Sequence, residues 1–438
     1  VARICFIGAG STVFAKNVLG DALHVPALKD AQIALLDIDS ERLADSDAMV
    51  KNLARTLGAS AVVESYLATD ARKALAGADY IVNAIQVGGY EPCTVTDFEI
   101  PKKYGLQQTI GDTLGIGGIF RGLRTIPVLL DYCRIAEEVA PEAWLLNYTN
   151  PMAMVTGAVL RATGIRTIGL CHSVQVCAGH LCRMLGLPDD GLSWSIAGIN
   201  HQAWLLDIRR DGEDLYPEIK RRANDPACLD NEWAQNDLVR LEVMRRFGYY
   251  VTESSEHTAE YVPWFIKNRA PELIRRFNIP LDEYPRRCVD QIEQWAQMRS
   301  DLVTEEPLHH ERGHEYASYI MEAMETGVPF PFGGNVLNKG YITNLPEASC
   351  VEVLCVADRQ GIQPTRHGDL PPQCAALNRT NLNVQELTIE AALTGRRDHI
   401  YQAALLDPHT AAELTIDEIV ALCDDLIVAH GNWLPTFH

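Results

Sequence analysis

No apolar run in this chain is long enough to cross a bilayer, so the sequence offers no membrane-spanning helix. Positive charge is scarce too: 38 Lys and Arg stand against 58 Asp and Glu, and the formal net charge of −20 at pH 7 opposes nonspecific attraction to phosphate backbones or anionic lipid. Nucleic acid and membranes are therefore not expected partners. The twelve cysteines include no Cys-x-x-Cys pair, and Val1-Ala2-Arg3-Ile4-Cys5-Phe6-Ile7 reads as a strand instead of a signal peptide. The expectation is reduced thiols in a cytoplasm, not a disulfide framework. Internal repeats, low-complexity segments and flexible linkers are also missing, which implies closely packed domains with a cleft between them.

A chain of 438 residues, 47% hydrophobic and 22% charged, is long enough for two domains with cores of their own. Up to about residue 170, short β-branched runs alternate with amphipathic helices, the pattern of right-handed βαβ units on a parallel sheet. The strand candidates are 4–7, 33–37, 62–66, 80–85, 144–147 and 167–170. A helix is predicted over 40–57, entered through a Ser cap with acidic residues in its early turns. Beyond Trp194, Ala203 to Arg210, the turn Asp211-Gly212-Glu213 and Leu215-Tyr216 suggest an antiparallel hairpin, followed by long helical stretches. The predicted fold class is α/β: a Rossmann-type doubly wound parallel sheet over residues 1–170, with a second α+β domain over 171–438 and the active site between them.

Gly8-Ala9-Gly10-Ser11-Thr12-Val13 follows the first strand and opens a helix. Glycines here permit a tight turn and close approach of backbone to a pyrophosphate, whose charge suits the helix N-terminus. Val13 replaces the usual third glycine, but the second strand ends in Asp37, a carboxylate suited to two ribose hydroxyls and repelling a 2′-phosphate. NAD is thus expected over NADP, held by Gly8, Gly10, Ser11, Thr12 and Asp37. Asn83, ahead of Gly88-Gly89, heads a second candidate wall of the cofactor site. Asn147-Tyr148-Thr149-Asn150-Pro151-Met152 ends another strand, where Asn147 and Asn150 can offer amides to a cofactor or a sugar hydroxyl; Asn150 is equally a candidate cap for a helix beginning at Pro151.

Cys171-His172-Ser173-Val174-Gln175 follows the strand Thr167-Ile168-Gly169-Leu170, and Asn200-His201 follows Trp194 to Gly198. A thiolate and an imidazole from the ends of two strands suit a divalent cation with open coordination positions, as catalytic metal sites require. Buried Cys and His are more often packing residues; here both follow strands on the cofactor side. His310-Glu311-Arg312-Gly313-His314 also matches the His-Glu-x-x-His pattern of zinc proteases. Gly313 weakens the helix that pattern needs, and no third histidine follows, so the match reads as accidental, with His314 beginning an ordinary helix that runs to Thr326.

Taken in order, Gly8 to Ser11, Gly111-Asp112-Thr113, Gly117 to Arg121, Asn147 to Pro151, Cys171-His172, Asn200-His201 and Glu253 to Trp264 resemble glycoside hydrolase family 4 over nearly the whole chain. Within it, Cys-His-Ser-Val-Gln, Thr252 to His257 and Ala259-Glu260-Tyr261 resemble the α-galactosidase branch. The resemblance implies a lactate/malate dehydrogenase-like fold, NAD and Mn2+ as cofactors, an α-galactoside such as melibiose as substrate, and a homodimer or homotetramer. It also implies a route in which a hydride leaves C3, a base removes the C2 proton, the leaving group is eliminated, water adds and the hydride returns. Cys171 and His201 are then the metal ligands, and Tyr261 the base, with Arg286 or Arg287 as supporting charge. His172, Glu256 or water is the acid, while Asp112, Asn150 and Arg286 contact the sugar. The same mechanism on an α-glucoside or α-linked uronic acid is the nearest alternative; a 2-hydroxy acid dehydrogenase is the alternative of another class, and a protease built on His310 and His314 is a distant one.

Overall fold

Apolar, β-branched segments in the first third of the chain pair as parallel strands. In a computed structural model describing all 438 residues, β1 (Arg3–Ile7), β2 (Gln32–Asp37), β3 (Val62–Leu67), β4 (Tyr80–Asn83), β5 (Trp144–Asn147) and β6 (Arg166–Gly169) run in the order β3-β2-β1-β4-β5-β6. Each neighbouring pair is parallel. The order reverses direction between β1 and β4, and ligands of such sheets bind beyond the carboxyl ends at that switch. Ile4, Cys5 and Phe6 are fully buried, as expected of a central parallel strand covered by helices on both faces.

Two helices complete the first units: α1 (Thr12–His24) and α2 (Ser40–Thr56). The cap of α2 is Asp39, one residue before the expected Ser40; its carboxylate accepts hydrogen bonds from the Glu41 and Arg42 amides. An ionised acceptor at a helix N-terminus gains from the dipole as well as from the bond, which accounts for Asp39 displacing Ser40.

The second half adds antiparallel strands to the same sheet. β7 (Leu192–Ile199) and β8 (Gln202–Arg210) form a hairpin, and β9 (Glu213–Asp214) pairs with β8 through the predicted Asp211-Gly212 turn. Tyr216 does not extend β9: it begins a short helix, Tyr216–Arg222, with Pro217 in its first turn. β10 (Tyr250–Val251), β11 (Phe330–Leu337), β12 (Cys350–Asp358) and β13 (Gly361–Pro364) complete thirteen strands in one sheet. Since β11 pairs with β6, the sheet runs straight across the expected boundary at residue 170. Helix Pro372–Thr394 packs back on helices Gly115–Val139 and Met152–Ala162, so one apolar core extends from Phe6 to Leu422. A smaller core behind the β7–β8 hairpin gathers Leu181, Leu205 and Met244.

One buried ionic cluster fixes the C-terminal helix against this frame. Asp97 accepts from Arg124 at 2.6 Å and from His430 at 2.8 Å, with all three side chains almost wholly buried. Charges taken out of water on this scale persist only when paired, because an unpaired partner costs roughly 3–5 kcal/mol.

Candidate active site

The glycine loop leaves β1 through Gly8, whose φ of +85° and lack of a Cβ are both needed: a Cβ there would stand 2.7 Å from the carbonyl oxygen of Ala84. Asp37, at the end of β2, accepts from the Gly10 amide at 2.6 Å and the Asp39 amide at 2.9 Å. A carboxylate thus sits over the loop ahead of the α1 N-terminus, and Ser11 there is exposed. The close backbone approach and the distal carboxylate fit a dinucleotide without a 2′-phosphate. Thr12 faces inward, its hydroxyl 2.9 Å from that of Ser46, and ties α1 to α2.

Asn83 and Asn147 also turn inward. Both are fully buried; Asn83 donates to the Asn147 side-chain oxygen at 2.8 Å and to Thr149 Oγ1 at 3.1 Å, and Asn147 donates to Thr156 Oγ1 at 3.0 Å. These amides join the ends of β4 and β5, and Asn83 Oδ1 is left without a partner. The cleft wall at this point is Ala84-Ile85-Gln86, together with Thr149 and Asn150.

That cleft, about 500 Å³ in volume, lies beyond the carboxyl ends of the parallel strands. Cys171 follows β6. His201 occupies the two-residue turn between β7 and β8 with φ 62°, and Glu253 follows β10 with φ 65°. Two non-glycine residues in left-handed backbone, each costing on the order of 1–2 kcal/mol, concentrate at this one place. Their ligand atoms and the thiol lie within 4.8 Å of one another. Individually, His201 Nε2 is 3.4 Å from Glu253 Oε2, and Cys171 Sγ is 3.9 Å from the same oxygen.

The donor chemistry of this cluster suits a cation. Burial, and then the charges of Glu253 and Glu352, push the Cys171 thiol far above its usual range. Burial also works to raise Glu253, but His257 and His201 outweigh it and hold that carboxyl down to about 2. The buried Nδ1 of His201 has no hydrogen-bond partner. A thiol, an imidazole and a carboxylate that open on a cavity fit a divalent ion with room left for a ligand. Glu253 lies in a segment that the resemblance covers, but nothing in the sequence distinguishes it from Glu256 as a metal ligand.

The expected base, Tyr261, is not presented to the cleft. It is 1% exposed, its hydroxyl donates to the Asn200 carbonyl at 3.4 Å, and burial together with Asp112 and Glu253 keeps its proton on. Two phenols line the cleft: Tyr148, whose oxygen accepts from the Ala317 amide at 3.1 Å, and Tyr284, at the start of helix Glu283–Leu302. Arg121 Nη1 donates to the Tyr284 oxygen at 3.1 Å, with the guanidinium carbon 5.5 Å from the ring centre. Burial raises the Tyr284 pKa, and Arg121 opposes that rise without cancelling it. Arg286, also expected here, instead bonds Glu283 and the Leu281 carbonyl on the exposed side of the helix; Arg287 lines the cleft.

Asp112 and Asn150 do meet in the cleft, with Asn150 Nδ2 3.4 Å from Asp112 Oδ2. Asn150 caps nothing: helix Met152–Ala162 has Pro151 as its cap. The loop bearing Asp112 is held by Glu260, which accepts from the Thr109, Ile110 and Gly111 amides at 2.6, 3.3 and 3.1 Å. Even so, burial raises Glu260 to about 7. His172 lines the cleft with Nε2 2.8 Å from Glu315 Oε2. Burial disfavours its charged form, but the hydrogen bond and charge of Glu315 prevail and raise its pKa. Glu256 pairs with Arg287 at 3.2 Å outside the cleft lining. Residues 307–314 are not helical, so His310 and His314 cannot share a helix face; the helix there begins at Tyr316.

Two family models match the chain, "Family 4 glycosyl hydrolase" over residues 3–187 and "Family 4 glycosyl hydrolase C-terminal domain" over residues 196–410. An α-galactosidase of Bacillus subtilis (strain 168) is 60% identical over 435 residues, 99% of each chain. An α-galactosidase of Rhizobium meliloti (strain 1021) is 38% identical over 448 residues, 99% of this chain and 89% of the other. Among solved structures, a 6-phospho-α-glucosidase from gut microorganisms in complex with NAD and Mn2+ matches the full length of both chains with a TM-score of 0.79 at 21% identity.

Proposed function

The chain belongs to family 4 of the glycosyl hydrolases, and from that premise we propose that it is an NAD- and Mn2+-dependent α-galactosidase acting on melibiose-like sugars. One convergence carries the reading: the Cys171–His201–Glu253 cluster and the Tyr284–Arg121 pair line one cleft beyond the carboxyl ends of the parallel strands, and the dinucleotide loop follows β1 of the same sheet. When bound, NAD would supply a hydride acceptor and manganese would supply Lewis acidity.

The protein's own residues do the rest. Cys171, His201 and Glu253 hold the metal, and the Gly8 to Ser11 loop with Asp37 holds the dinucleotide. Asp112 and Asn150 take sugar hydroxyls. Tyr284 receives the C2 proton on its phenol oxygen; the ordinary phenol pKa of about 10 makes it a poor base without adjacent positive charge, which Arg121 provides at 3.1 Å. His172 delivers a proton to the departing oxygen. No pair of carboxylates flanking the bond is needed, as it is in most glycosidases.

Two features support self-association in a reducing compartment. Helix Glu283–Leu302 has no buried residue and exposes Val289 and Ile292. All twelve cysteines are free, and a ligand thiolate is the species oxidants attack. No helix is long and apolar enough to cross a membrane.

The direct assay is p-nitrophenyl α-galactoside with NAD and Mn2+. The expected outcome is nitrophenol release without net NADH, because the hydride returns in every cycle. Stoichiometric NADH, or equal turnover with both cofactors removed, contradicts the assignment.

A further inference from the structure

The His310-Glu-x-x-His314 segment lies outside the cleft cluster, yet together with Glu315 it is tied to α1 by four hydrogen bonds. Asp21, on α1 and wholly buried, accepts from His310 Nε2 at 2.7 Å, from the Gly313 amide at 2.7 Å and from the Glu315 amide at 3.1 Å. His24, one turn further along α1, bonds the His310 carbonyl at 2.7 Å. Gly20 leaves room for the imidazole: a Cβ there would come within 2.6 Å of its ring. Upstream, Asn52 and Arg55 of α2 bond the carbonyls of Thr304, Glu305 and Glu306. The segment 304–315 is therefore strapped along the two helices of the dinucleotide fold, and it ends at Glu315, whose carboxylate holds His172.

A carboxylate bonded to one ring nitrogen fixes the orientation of an imidazole and leaves the other nitrogen to meet the substrate. Glu315 is well placed for this, because its backbone is pinned by Asp21 and its side chain is mostly buried. Tyr148 and Tyr316 flank the His172 ring, with centroids 5.9 and 5.7 Å away. The ring is thus confined by two aromatic neighbours and one charged bond.

We infer that Glu315, anchored through Asp21 and His310, is the positioning residue that orients His172 for proton delivery to the leaving group. The inference rests on the reading of His172 as the acid. It gives the His310 motif a mechanical part: the first histidine latches the strap, and the second, His314, is exposed and holds nothing.

Leaving-group dependence tests it, since p-nitrophenolate departs with little need of a proton and a sugar alcohol does not. General acids contribute about 10²–10⁴-fold, so Glu315→Gln is expected to lower kcat/KM on melibiose by about 30–100-fold, a loss at least about tenfold greater than on p-nitrophenyl α-galactoside. His310→Ala is expected to shift the ratio in the same direction by about tenfold, and His314→Ala to leave it unmoved. A merely structural role lowers both substrates together and leaves the ratio fixed, so equal losses in Glu315→Gln overturn the inference. His172→Gln separates the two levels. If it discriminates between the substrates and Glu315→Gln does not, the positioning role alone falls; if it loses both substrates equally, the acid reading falls and the positioning role with it.

Discussion

Cys171→Ser is expected to abolish tight Mn2+ binding and to lower turnover by three orders of magnitude or more, on the order of the loss when a catalytic metal leaves its site. The thiol is one of only three protein groups whose ligand atoms lie within 4.8 Å of one another, so its removal leaves an imidazole and a carboxylate that cannot close a site by themselves. Serine preserves volume and does not ionise at neutral pH, which makes the loss one of ligation instead of packing. The electron paramagnetic resonance signal of free Mn2+, titrated with enzyme, reads binding independently of activity. Unchanged affinity in the variant would remove Cys171 from the site. Glu253→Gln is expected to weaken binding in the same assay, because a neutral amide no longer offsets the cation.

Tyr284→Phe carries the second large effect. Deleting one oxygen removes the group that receives the C2 proton, and turnover is expected to fall by about 10²–10⁴-fold with Mn2+ and NAD affinities retained. Tyr261→Phe is the matched comparison. Its hydroxyl makes one long bond to the Asn200 carbonyl at 3.4 Å inside the core, so its loss costs about 1 kcal/mol of stability and little turnover. The reverse pattern, with Tyr261→Phe inactive and Tyr284→Phe active, would restore the expectation drawn from the sequence. Arg121→Lys is less conservative than it looks, because a lysine keeps the charge but not the planar group that both bonds the phenol and lies near its ring.

The contrast between these two tyrosines shows where sequence reasoning stops. Strands and turns that depend on neighbouring residues were legible: six parallel strands, the Gly8 loop, Asp37 at the end of β2 and the thiol after β6 all follow from local pattern. Cys171 and His201 each follow a strand with one residue between, a position that local pattern marks. Glu253 and Arg121 stand in segments that the resemblance covers, but which side chain of each segment enters the site depends on tertiary packing that local pattern does not carry. Tyr284 depends on the way helix Glu283–Leu302 is seated: the amides of Asp282 and Tyr284 bond the carbonyls of Gln108 and Thr109, which aims the phenol inward. That docking also turns Arg286 outward and Arg287 toward the cleft, a choice that adjacent arginines in a sequence do not reveal. Asn83 and Asn147 erred in the opposite sense. Both stand at strand ends as read, but they are buried and bond each other through Asn83 Nδ2, with Asn83 Oδ1 left unpartnered.

The oxidative-elimination route is the central claim, and one measurement reaches it. Hydrolysis of an α-galactoside in deuterium oxide, with NAD and Mn2+ present, should give galactose bearing deuterium at C2, seen as loss of the H2 proton resonance, because the proton taken by Tyr284 exchanges with solvent before one is returned. Direct displacement at the anomeric carbon never opens that C–H bond. Full turnover with protium retained at C2 would contradict the account.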